Sequence, residues 1–158
     1  MNEKIQWFKK LMHDSMLENY KRDGHLSPVF ITFSNEKIFI TPIPRDQLKP
    51  ENKQMLVATI KNTCKNPLIL ASVVILEAYG AQVEPHSEVI DQIISGKIDM
   101  SDIEEKHNII IMLFSSPEEE EFLAYYVDDK TKTVGEKFCE DGTHFEGLFS
   151  HLFTWNKN

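Results

Sequence analysis

Hydrophobic and polar positions change their period several times along this chain, and each change predicts an element. Over Glu3 to Arg22, the residues Ile5, Phe8, Met12, Met16 and Tyr20 recur on one stripe at about 100° per residue, as in an amphipathic helix with one face toward a core. Asp23-Gly24 closes that helix. Trp7 and Leu17 project away from the stripe and leave apolar surface for a second contact. Val29 to Phe33 and Lys37 to Ile43, separated by Ser34-Asn35-Glu36, read as a β-hairpin whose second strand is ended by Pro42 and Pro44. A second helix begins between Asp46 and Glu51, with Pro50 in its first turn, and runs to about Cys64 on a face of Leu56, Ile60 and Thr63 flanked by Val57 and Cys64.

From Pro67 to Leu76 polar positions almost vanish. So long an apolar run, rich in β-branched residues and too short to cross a membrane, predicts a central strand covered on both faces. It leads directly into Glu77-Ala78-Tyr79-Gly80. Residues 84–106 are the least regular and read as a crossover or lid around a short helix from Ser87 to Ser95, with Ser87 as N-cap and Gly96 as terminator. Asn108 to Phe114, Glu121 to Val127 and Lys132 to Phe138 then form an antiparallel meander, and His144 to about Trp155 forms a closing helix with a wide apolar face.

Helices set beside runs of strands, without strict β-α alternation, predict a single α+β domain spanning 1–158, with a mixed or antiparallel sheet of five to six strands. The order of helix, hairpin, helix, strands and closing helix resembles the layout of the roadblock/profilin-like superfamily, apart from the insertion at 84–106. That resemblance implies a dimerising or scaffold domain; fold by itself does not fix function.

Composition narrows the classes. With 158 residues and 41% hydrophobic content the chain has enough material for one core. It offers no membrane-length apolar stretch, and its charged N-terminus lacks the apolar centre of a secretory signal, so a cytoplasmic location is expected. The net charge of −8 is unevenly spread. Residues 1–66 carry eleven Lys/Arg against seven Asp/Glu, and residues 84–136 carry four against fourteen, an asymmetry that can orient a charged partner or a second copy. Nucleic acid is not an expected partner, because Lys4 and Lys21 are scattered around the first helix from Lys9, Lys10 and Arg22, and overall acidity repels phosphate.

Candidate chemistry is sparse. Cys64 and Cys139 are far apart, and His144 and His151 match no zinc spacing, so neither a metal nor any other cofactor is expected. The glycines form no phosphate-binding fingerprint and the serines no nucleophile elbow. Glu118 to Glu121 reads as a solvated acidic turn. Glu77, at the C-terminal end of the central strand, is the leading catalytic candidate as a general acid or base, with Tyr79 beside it and His86 near in sequence. The primary expectation is a small non-catalytic binding or protein-interaction module, meeting another protein or itself, possible homodimer included, through Trp7 and Leu17. The competing expectation is a small hydrolase-like or lyase-like enzyme with Glu77 in a pocket beside residues 84–106.

Overall fold

The computed structural model describes residues 2–35, 37–49, 51–80, 87–98, 107–128, 130–138 and 152–153. The order is α1 (Glu3–Asp23), β1 (Val29–Ser34), β2 (Lys37–Pro42), a 3-10 turn (Arg45–Leu48), α2 (Lys53–Cys64), β3 (Ala71–Gly80), α3 (Glu88–Ile94), β4 (His107–Ser115), β5 (Glu120–Asp128) and β6 (Thr133–Lys137). Among the described residues the strands form one antiparallel sheet in the order β2-β1-β3-β4-β5-β6, so the domain is α+β. Its likeness to the roadblock/profilin-like layout is weak and lies in element order only.

Strand alternation gives the sheet two apolar faces. On one, α1 buries Ile5, Phe8, Met12, Met16 and Tyr20 against Phe33, Val73, Ile110, Met112, Phe114 and their neighbours. Phe8 stacks on Phe33 with ring centroids 5.1 Å apart. On the other, Leu56, Ile60 and Cys64 of α2 pack with Phe30, Ile43, Ile69, Val74, Leu152 and Phe153. Burial pushes the Cys64 thiol up to about 11, so it behaves as a small apolar side chain.

Caps follow the sequence closely. Asn2 Oδ1 accepts the Lys4 N–H at 2.8 Å at the start of α1, and Gly24, at φ 73°, closes α1 by donating its N–H to Tyr20 O. Ser87 caps α3 by accepting the Val89 N–H, and Gly96 follows at φ 78°. Two starts differ: α2, expected to begin between Asp46 and Glu51, begins at Lys53 with Asn52 as its N-cap, because Arg45–Leu48 forms a separate 3-10 turn that ends at Lys49; β3 starts at Ala71, because the Asn66 side chain accepts the Leu68 N–H and holds Pro67 and Leu68 in a turn. The closing helix expected over 144–155 lies outside the described residues except for Leu152 and Phe153. The 84–106 insertion is described only over 87–98.

Candidate functional site

Neighbouring strands of unequal reach create a cleft at one end of the sheet. Pairing of β1 with β3 stops at Val29 opposite Ile75, so among the described residues β3 runs on unpaired along that side through Glu77, Ala78 and Tyr79, while β4 continues to accompany it on the other. The space beyond β1 is bounded by the α1–β1 linker and by the 3-10 turn. The resulting cleft has a volume of about 370 Å³ and is lined by His25, Leu26, Arg45, Glu77, Tyr79 and Asn108, with Pro28, Leu48 and Ala78 as apolar wall. Buried Ile43 fixes the approach to the 3-10 turn, and Asn52 Nδ2 donates to Asp46 O at 2.7 Å to hold its far side.

Glu77 anchors one wall of this cleft. One carboxylate oxygen, Oε1, accepts the backbone N–H of Leu26 and so ties the linker to β3. Its side chain is otherwise exposed, and Tyr79 is 47% exposed on the same strand face. Asn108 lies opposite Tyr79 in the β3–β4 register. The structure therefore brings Glu77 and Tyr79 into one concavity and adds His25, Arg45 and Asn108, which local sequence reading did not connect to them. His86, with the neighbouring Glu84, lies outside the described residues.

A second polar cluster sits on the α1 face. Lys9 Nζ bonds Glu119 Oε1 at 2.8 Å and also Glu121 Oε2, while Gln6 Nε2 donates to Glu119 Oε2 at 3.1 Å. Alternation along β5 turns Glu121 inward with Leu123 and Tyr125, so the acidic run is not simply a solvated turn: Glu121 is buried under α1. Burial works against the Lys9 ammonium, but the bonds to Glu119 and Glu121 outweigh it and the net direction is up. Burial likewise raises the Glu119 carboxyl, yet Lys9 and Gln6 reverse this and hold it below the usual range. Beside them His13 Nε2 and the Tyr125 hydroxyl share a 2.8 Å hydrogen bond, and Lys137 stands over the Tyr125 ring. The signal was present in sequence, since Lys9 borders the apolar stripe of α1 and Glu121 alternates with Leu123 and Tyr125; only the packing joins them.

The two interface candidates are placed differently. Trp7 is 53% exposed and tilts over Phe33 with ring centroids 6.1 Å apart. Leu17 is half-buried against the α1-face core. Because α1 lies over β3, β4 and β6, the β1–β2 side is covered less. Two hollows border it: one of about 420 Å³ includes Met12, Met16, Ile31 and Ile40, and one of about 430 Å³ is formed by Glu3, Lys4, Trp7 and Phe33.

Among the described residues no group of three or more His, Cys, Asp or Glu is placed to hold a metal ion, and no helix is long and apolar enough to cross a membrane. Several of the cations of α1 are engaged: Lys9 with Glu119 and Glu121, Lys10 with Asp14 and Arg22 with Asp23. Compared with family models, curated proteins and solved structures, the chain matches none.

Proposed function

We propose that this chain is a small non-catalytic binding module that pairs with a second copy of itself along β2. The observation that carries the reading is the character of that edge: among the described residues β2 pairs only with β1, and its Phe39 and Ile40 are 56% and 63% exposed. Sheet edges of this kind are normally blunted. The opposite edge, β6, conforms, with a register shift between Tyr125 and Val127 and with Glu136 and Lys137 along it.

Hydrogen-bond parity selects the partner. Ile43 N–H donates to Pro28 O, so Thr41, Phe39 and Lys37 also direct their backbone groups toward β1, and those of Ile38, Ile40 and Pro42 face outward. An antiparallel pair of β2 strands with its two-fold axis at Phe39 sets Ile38 opposite Ile40 of the second copy and closes four backbone hydrogen bonds. Pro42, which lacks an N–H, then lies beyond the paired segment. A register centred on Ile40 would instead set Pro42 against Ile38 and leave carbonyls unpaired. In the favoured register Lys37 meets Thr41, without like charges opposed, and the two Phe39 rings are neighbours on the α2 face.

Analytical ultracentrifugation across a concentration series tests this. The wild type should sediment as a dimer. Ile40→Lys, at an exposed position, should raise the dimer dissociation constant by about tenfold or more while changing stability by no more than about 0.5 kcal/mol. A wild type that stays monomeric, or an I40K dimer as tight as wild type, overturns the reading.

The catalytic alternative draws on the concavity holding Glu77 and Tyr79. The bond from Leu26 N–H to Glu77 and the exposure of that carboxylate support an orienting and binding role for Glu77 over proton transfer.

A further inference from the structure

The cleft beyond β1 contains two opposite charges that do not meet. Arg45, on the 3-10 turn, makes no side-chain hydrogen bond or ion pair among the described residues. Across the same cleft Glu77 commits Oε1 to the Leu26 N–H, and its Oε2 has no protein partner among the described residues. A guanidinium and a carboxylate that share a concavity without bridging each other leave room for a ligand that satisfies both. Leu26, Pro28, Leu48 and Ala78 supply an apolar wall between them, and the volume of about 370 Å³ falls in the range of small-ligand sites.

We infer that this cleft binds a small zwitterion of the amino-acid type, its carboxylate on Arg45, its ammonium on Glu77 and its side chain against the Leu26–Leu48 wall. Arg45 suits the carboxylate because a planar guanidinium can donate two parallel hydrogen bonds to it. Asn108 and His25 stand at the rim as further polar contacts. Both charges must be matched, since desolvating either one alone would leave a polar group unpaired. This inference does not depend on self-association through β2.

The test uses the full chain labelled with ¹⁵N and a panel of the standard amino acids at millimolar concentration, with backbone amide shifts as the readout. At least one apolar member should move Leu26, Arg45, Glu77 and Tyr79 together in a saturable way. For leucine as the aliphatic probe, leucinamide should lose the Arg45 contribution and 4-methylpentanoate the Glu77 contribution, each binding about tenfold more weakly. Arg45→Gln should abolish the distinction between leucine and leucinamide. Glu77→Gln keeps an oxygen for the Leu26 N–H, so the linker stays tied while the distinction between leucine and 4-methylpentanoate disappears. No saturable shift at these residues with any member, or shifts indifferent to both substitutions, overturns the inference.

Discussion

Lys9 shows how a single residue near the core can be decisive in a way its own neighbourhood in sequence does not announce. Its ammonium is the counter-ion of two carboxylates, one of them buried, so removing it takes away the cation that offsets a negative charge under α1. Lys9→Met should therefore cost about 3 kcal/mol in urea unfolding near neutral pH, while K9M/E121L recovers most of the loss because the buried carboxylate goes together with its half-buried counter-ion. Since Glu119 is held below its ordinary range, its share of that stabilisation is present above about pH 4.3 and is lost as the pH falls through its lowered folded value, so the K9M penalty should shrink in acid. His13 behaves in the opposite environment: burial lowers it most, Asp14 and Glu121 raise it, and Lys137 and Lys10 lower it, with the net direction down. The unfolded chain then takes up the His13 proton more readily than the folded one. Stability should fall as the pH drops below about 6.5, and His13→Gln should flatten that limb of the pH–stability curve measured by thermal melting.

Individual elements were the most legible part of the sequence, and their ends reveal why. The α1 stripe, the hairpin, the short helix after Ser87 and the meander all rest on local periodicity or on caps a few residues away, so each could be read without knowing the sheet order. Gly24 is a case where the local rule meets a tertiary one. Its φ of 73° suits glycine, and a Cβ there would meet Lys132 Cγ at 3.0 Å, since α1 ends against the turn before β6. Gly24→Ala should lower stability by about 1 kcal/mol with the fold intact, as read by circular dichroism and thermal melting. The start of β3 was misplaced by four residues because apolar composition does not distinguish a strand from an Asx turn that buries Ile69 beside it.

At the scale of the whole molecule, the described residues form one six-stranded sheet with apolar packing on both faces, and that packing leaves uncovered the β2 edge and the cleft where β3 outruns β1. Glu77 and Tyr79 could be singled out from sequence because they follow a buried strand. Arg45 and His25 could not, because nothing local relates a turn after β2 and a linker before β1 to the far end of β3. The amino-acid sequence by itself determined which segments are helices and strands, which of their faces are apolar and where several of the helices are capped, because those properties repeat over a few residues. Only the tertiary structure decided that β1 lies between β2 and β3, that Glu121 turns toward Lys9 and that Arg45 and Glu77 line one cleft. These depend on strand order and register, which are set by burying both faces of the sheet at once and bring together residues far apart in the chain.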